Sequence, residues 1–435
     1  MAFKIQTEVM RLDPGSATED ITMSGFGTPD AVIIQRAGNE FKWTGSTLAE
    51  AEFTFGFTDC SGSYCVDSAD KDGLPTTDGY RHLRNDALIS VAGGAAVASF
   101  DQTITDGIRI SWDTTYAAND MDFVITFLSG VSAKVGYENV GSSDTDVTSV
   151  GFEPDVVFCL ANGATNFNQG THFLASIGIA ANKATPVNCG VAICSKDDAA
   201  SSIVTSQSFD DAIASQVYDD AIYWECQITG YDSDGFTFHP TDGTVEYIAY
   251  LALKFTDGED FWVGTFNPAT STGDDSITEP GFQPQFLMQL MTDHAAVDTL
   301  YTDGHAGSFG IGITDGTNEA ATSIAIEDAQ GTTDTESSFF EKFAFLHEDD
   351  GSALFEGTFS SFDANGWTTN FTAVSGTQVT WIGFAVEDPS AAGTTHTADA
   401  EGTVEIGGSV ETKRSLDGGA EGTVEIGGSV EVSLI

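Results

Sequence analysis

The feature that most limits what this chain can fold into is a short signal that returns at domain-sized intervals. In mid-chain it reads Gly151-Phe152-Glu153-Pro154-Asp155-Val156-Val157-Phe158. Earlier it reads Gly25-Phe26-Gly27-Thr28-Pro29-Asp30-Ala31-Val32-Ile33, one residue longer, and later Gly281-Phe282-Gln283-Pro284-Gln285-Phe286-Leu287. Pro29, Pro154 and Pro284 lie 125 and 130 residues apart. That is the length of a domain, against roughly 20–50 residues for a solenoid unit. In each copy Gly and Pro mark a turn, and the apolar run that follows is a buried strand.

Other landmarks keep step. A Gly-centred apolar segment follows each signal: Phe55-Gly56-Phe57-Thr58-Asp59, Ile177-Gly178-Ile179 and Ile311-Gly312-Ile313-Thr314-Asp315. Next come Asp106-Gly107, Asp234-Gly235 and Asn365-Gly366, dipeptides that favour φ > 0 hairpin turns. Each copy closes on a strand, Met121 to Phe127, Val245 to Leu251 and Val379 to Phe384. The expectation is an all-β chain of three tandem antiparallel β-sandwich, jelly-roll-like domains, at 1–136, 137–256 and 257–389. Residues 1–20 read as a lead-in broken at Asp13-Pro14-Gly15. Ser337 to Leu346 reads equally as a strand or a short helix.

Residues 390–435 differ in kind. Ala400 through Glu411 returns letter for letter as Ala420 through Glu431. The alternation Val404-x-Ile406 and Val424-x-Ile426 specifies half-buried strands too short to fold alone. The expected role is a β-rich tail for oligomerisation or anchoring; the alternative is a hairpin that caps the third domain.

Charge narrows the setting. The chain has 66 Asp plus Glu against 15 Lys plus Arg, a formal net charge of -51, while 41% hydrophobic residues and 31 Phe argue against disorder. Phosphate contacts need basic residues, so nucleic acid is excluded as a partner. A surface this acidic repels itself unless salt screens it, which reads as adaptation to brine. The alternative is an ordinary acidic secreted protein using Ca²⁺. No run of about 18 apolar residues predicts a membrane span, and the N-terminal residues are too polar for a secretory signal.

Chemistry-bearing motifs are few. In the Asp-rich segment from Thr58 to Gly79, Asp67, Asp70 and Asp72-Gly73 resemble part of a Ca²⁺ loop but miss its spacing, so a solvated acidic loop is expected. No motif calls for a cofactor; Ca²⁺ or another cation at such acidic loops is the alternative. Cys60/Cys65 and Cys189/Cys194 share a C-x4-C spacing, compatible with two local disulfides or with buried thiols, while Cys159 and Cys226 stand alone. The histidines His82, His172, His239, His294, His305, His347 and His396 show neither metal spacing nor a Ser/His/Asp arrangement. Asp274-Asp275 and Asp349-Asp350 imitate a glycosidase pair only as 66 acids will by chance. Trp43, Trp112, Trp224, Trp262, Trp367 and Trp381 are candidates for stacking on sugar, with core packing the better expectation. No enzyme is expected.

The series Gly-Phe-x-Pro-Asp-x-Val, then Asp-Gly-Phe, then an aromatic closing strand, resembles a domain family of tailed-virus virion proteins. The second copy is the nearest, with Gly151 to Phe158, Asp234-Gly235-Phe236-Thr237 and Tyr247-Ile248-Ala249-Tyr250; the third departs at Gln285 and Asn365. The resemblance implies a virion structural protein, and the acidity a virus of a halophile. It would form a turret, fibre or spike on the particle surface for decoration or host attachment. Its partners would be copies of itself as a trimer or pentamer, other virion proteins, and host surface glycans or S-layer. The alternative is a cellular surface adhesin or carbohydrate-binding protein of a halophile. The family's motifs are scaffold turns and carry no catalytic residue across.

Overall fold

A computed structural model describes residues 3–38, 47–91, 94–114, 121–163, 165–243, 246–256, 259–302, 307–348 and 350–388. The duplicated tail, Trp43, His305, His396 and Asp349 lie outside the described residues. Every described regular element is a β-strand in an antiparallel sheet. Residues 1–391 gather into one compact unit.

The strands fall into three large and three small sheets, and each pair repeats one order. In the first large sheet the order is Lys4–Leu12, Met121–Ser129, Ala31–Ala37, Ala51–Thr58, Ser63–Asp70, Gly79–Arg84. Its small sheet runs Thr18–Thr22, Gly107–Thr114, Ala96–Ile104, Ile89–Val91. The same ten strands recur from Val131–Val140 to Glu246–Phe255 and from Phe261–Phe266 to Trp381–Glu387. The first strand of each repeat pairs with that repeat's own closing strand. The first two repeats therefore divide at Gly130, not at residue 136, and the expected lead-in contains the strand Lys4–Leu12. The chain does break at Asp13, whose carboxylate accepts from Gly15 N at 2.8 Å.

The strand after each Gly-Phe-x-Pro signal shows why it reads as an unbroken apolar run. Side chains alternate between faces with period two. Val156, Phe158 and Leu160 point into a core shared by all three large sheets, whereas Val157, Cys159 and Ala161 point toward the small sheet. Both faces are dry, so neither can be polar. Phenylalanines of different repeats meet in the shared core. The Phe53–Phe309 centroids are 5.4 Å apart, Phe158–Phe384 5.3 Å and Phe3–Phe255 5.2 Å.

The glycine landmarks are where the layers touch. A Cβ on Gly56 would sit 2.0 Å from Leu88 O, on Gly178 1.7 Å from Ile213 O, and on Gly312 1.9 Å from Phe343 O. The hairpin glycines meet a different neighbour, the adjacent strand of their own small sheet. A Cβ on Gly107, Gly235 or Gly366 would lie 1.9, 1.6 or 1.8 Å from the carbonyl oxygens of Ile21, Val147 and Ile277. The hairpins form as expected, and in the first the positive φ falls on Asp106, at 61°, and not on the glycine. Each of these glycines opens the returning strand and pairs with Ile104, Asp232 or Asp363, and none has positive φ.

Three further readings change. The Asp-rich segment holds the strand Ser63–Asp70. The undecided segment forms two strands, Thr335–Phe340 and Ala344–His347. All six cysteines are free thiols. Cys189 and Cys194 lie on one strand, pointing into different cores.

Candidate functional site

The repeats are joined in a ring, and the joints use up much of the polar chemistry. From each repeat, the segment between its third and fourth large-sheet strands crosses to a neighbour. Thr47–Ala49 pairs with Thr335–Phe340, Gly170–Thr171 with Gly79–Arg84, and Tyr301 bridges to Ser206. First borrows from third, second from first, third from second, so the circuit closes within one chain.

Two acidic turns carry the facing joints. Asp59 Oδ1 accepts from Ser61 N and Gly62 N at 2.9 and 2.8 Å, and Asp315 Oδ1 from Thr317 N and Asn318 N at 2.8 and 2.7 Å. Their second oxygens cross to the next repeat, Asp59 to Val135 N at 3.1 Å and Asp315 to Thr7 N at 2.9 Å. In the second repeat Lys183 takes this place, 2.8 Å from Asp260 Oδ1 and 4.0 Å from the Phe261 ring centroid. Burial pulls the Asp59 carboxyl up, yet the hydrogen bonds from Ser61, Gly62 and Val135 outweigh it and hold the pKa low.

At another level three loops interlock. Asp72, Asp197 and Asp328 each accept a backbone N–H from the preceding repeat in the circuit, from Thr335 at 3.3 Å, Gly79 at 3.1 Å and Val204 at 2.9 Å. The residues after them, Gly73, Asp198 and Ala329, have φ of 71°, 57° and 59°. Their N–H groups donate to the carbonyls of Thr333, Thr77 and Ser202. Thus Asp72 is a loop-locking residue, while Asp67 and Asp70 lie on a strand at odd spacing and face opposite sides of the sheet. Asp67 meets Ser90 Oγ at 2.8 Å. Burial raises Asp70 to about 6. The three carboxylates of the Ca²⁺ reading do not converge, and no group of metal-ligating side chains occurs among the described residues. A cleft of about 470 Å³ beside this interlock is lined by Lys196, Asp198, Ser202, Asp220 and Asp328. Lys196 is spent on Asp219 at 2.7 Å, and Asp328 on Val204.

Among the described residues one histidine, His294, meets two serine hydroxyls. His294 Nε2 is 2.9 Å from Ser206 Oγ, and Nδ1 is 3.2 Å from Ser208 Oγ. Asp293 Oδ1 stands 3.9 Å from Nε2, the nitrogen that already meets Ser206. A relay needs the carboxylate on the opposite nitrogen. The imidazole is 1% exposed and stacks on Tyr301 at 4.1 Å, so it seals the third joint. His347 is fully buried, and that burial lowers its pKa to about 4. Asp274 is held by Asn370 Nδ2 at 2.6 Å and Asp275 by Ala269 N at 2.8 Å, so this pair is taken up in the sheet.

Among the described residues the tryptophans are mostly core: Trp224, Trp367 and Trp381 are at most 1% exposed and Trp112 5%. Trp262 packs against the third core. Among the described residues the large aromatics most open to solvent are tyrosines, Tyr137 at 41% and Tyr223 at 45%. Tyr137 belongs to a cluster at the joint of the first two repeats. It stacks with Tyr247 (5.7 Å, 16°), meets Phe167 edge-on (4.8 Å) and tilts against Tyr64 (6.1 Å). Phe167 lies on the crossing segment, its carbonyl 3.0 Å from His82 Nε2, while Arg81 fixes the segment's ends at Gly163 O and Thr171 O. No helix among the described residues is long and apolar enough to cross a membrane. No family model matches this chain, and no curated protein matches it in sequence.

Proposed function

We propose that this chain is a non-enzymatic structural protein of a tailed-virus particle from a saline habitat. It would form a surface projection that decorates the particle or attaches it to a host. Each repeat is then a jelly-roll-like sandwich, and the tail from residue 390 assembles copies into a trimer or pentamer or seats them on the particle. The observation that carries this reading is the closed ring of three sheet pairs. Its polar side chains lock loops and joints, His294 is sealed in a joint, and Asp274 and Asp275 are held by Asn370 and the Ala269 N–H. Such a body is rigid and leaves its loops free to vary. The motif resemblance and the charge of -51 support the virion and saline parts.

The test is to band particles from a lysate on a density gradient and look for the chain by mass spectrometry and by immunogold on intact particles. A constant ratio to the major capsid protein is expected. Recovery only in the host envelope fraction would overturn the proposal. The exposed Tyr137 cluster favours a second reading, a cellular adhesin, and that fraction is where it would be found.

A further inference from the structure

The Tyr137 cluster carries chemistry that the ring does not need. The corresponding first-strand positions in the other repeats, Val9 and Thr265, are not aromatic. Val9 is only a partner in a small apolar contact with Val124, Ala320 and Phe339. Ring closure therefore works without an exposed ring, and Tyr137 leaves 41% of its surface in water. An aromatic with one side dry and one wet is built for contact.

The surroundings say with what. Tyr137 and Asn139 share a face of the strand Val131–Val140, and Asn139 lies directly across from Tyr247. The crossing segment adds Asn166, Asn168 and Gln169, all exposed, on either side of Phe167. The patch therefore offers ring faces beside neutral amides, of which Asn166 Oδ1 already accepts the Asn168 N–H at 2.8 Å while its NH₂ and the amides of Asn139, Asn168 and Gln169 can donate and accept. Charges in the neighbourhood are engaged or turned elsewhere: Asp59 and Lys134 pair at 3.6 Å, Arg81 donates to Thr171 O and Gly163 O, and Glu138 and Glu246 sit on the alternate sides of their strands. A chain of net charge -51 repels anions. A protein partner would need roughly 800 Å² per side with an apolar centre, and a single half-exposed ring is far too small. The rings touch one another at 4.8 to 6.1 Å, so no gap is left among them to cage a quaternary ammonium. A flat, neutral, hydroxyl-rich ligand with an apolar face fits.

We infer that the Tyr64–Tyr137–Phe167–Tyr247 patch is a saccharide-binding platform, on which a neutral pyranose stacks against Tyr137 and hydrogen-bonds to Asn139 and the amides beside Phe167. The inference rests on the attachment part of the proposed function, and the two fail separately. Particle incorporation tests the one, and sugar binding by the isolated full chain tests the other.

The experiment is saturation-transfer NMR and titration of the full-length protein in high salt. The probes are methyl α- and β-pyranosides of glucose, galactose and mannose, N-acetylglucosamine, and tetramethylammonium as the cationic arm. At least one pyranoside is expected to bind in the millimolar range. Tyr137→Ala should weaken it about tenfold, and Asn139→Ala should weaken it less. Tyr223→Ala, at the other exposed tyrosine, should leave it unchanged. Amide spectra of each variant confirm the fold. The assignment is overturned if no pyranoside receives saturation, if Tyr137→Ala binds as the parent does, or if tetramethylammonium alone binds.

Discussion

Replacing Gly178 by alanine tests the layer spacing directly. The new Cβ would lie 1.7 Å from Ile213 O and 2.5 Å from Ile213 C. A carbon and a carbonyl oxygen rest no closer than about 3.3 Å, so the sheets must part locally by roughly 1.6 Å. The carbonyl cannot swing aside. Ile213 is fully buried, and its carbonyl shares a peptide with Ala214, which is paired with Cys226 in the small sheet. Overpacking of a core costs about 1–3 kcal/mol and more where backbone must move, so a loss of about 3 kcal/mol or above is expected. The molecule supplies its own replicates: Gly56→Ala meets Leu88 O at 2.0 Å and Gly312→Ala meets Phe343 O at 1.9 Å. It also supplies a control, Gly230, where a Cβ meets nothing within 4 Å. Urea midpoints at fixed salt should fall by a similar amount in all three variants and hardly move in Gly230→Ala. If Gly178→Ala lies within about 0.5 kcal/mol of that control, these glycines do not set the spacing.

Charge and burial give further outcomes. Burial raises Asp70 to about 6 and Glu246 to about 7, above their unfolded values near ~4. Both therefore favour the folded chain at low pH and lose that contribution as pH climbs from about 4 to about 7. Melting temperatures at constant salt should fall over that window, and Asp70→Asn with Glu246→Gln should flatten the slope. Asp59 has the opposite sign, its folded pKa being depressed. Its contribution is present above the unfolded pKa and disappears as pH falls through the folded one, and Asp59→Asn should remove that acid-side loss. Burial pushes Cys60 up to about 12 and Cys65 well above the ordinary thiol range, so a thiol reagent at pH 8 should label neither until urea unfolds the chain. With a net charge of -51, the melting temperature should climb steeply between about 0.1 and 2 M KCl; a flat response would remove the saline reading.

Strand content was legible because periodicity two and Gly/Pro turns are local properties. Phe55-Gly56-Phe57 and its counterparts were visible as landmarks, though their reason, a carbonyl arriving from the other sheet, is tertiary. The ring could not be read, since nothing in Gly170–Thr171 says that it will pair with Gly79–Arg84. Two signals for it were present. Thr58-Asp59 returns as Thr314-Asp315, and Asp72, Asp197 and Asp328 are spaced by 125 and 131 residues, nearly in step with the prolines. Among 66 acids such matches look like chance until hydrogen bonds pick them out. The aromatic patch was hidden for a plainer reason: Tyr64, Tyr137, Phe167 and Tyr247 come from four separate segments, and only the crossing segment brings Phe167 to the others.

Closing the circuit inside one polypeptide has a consequence for valency. Three identical subunits would have to display any surface feature in triplicate and could assemble only above a threshold concentration. Here the joints are tethered, so dilution cannot open them, and each third is free to diverge alone. A contact made at Tyr137 is therefore made once per molecule, and firm adhesion would have to come from many molecules arrayed side by side.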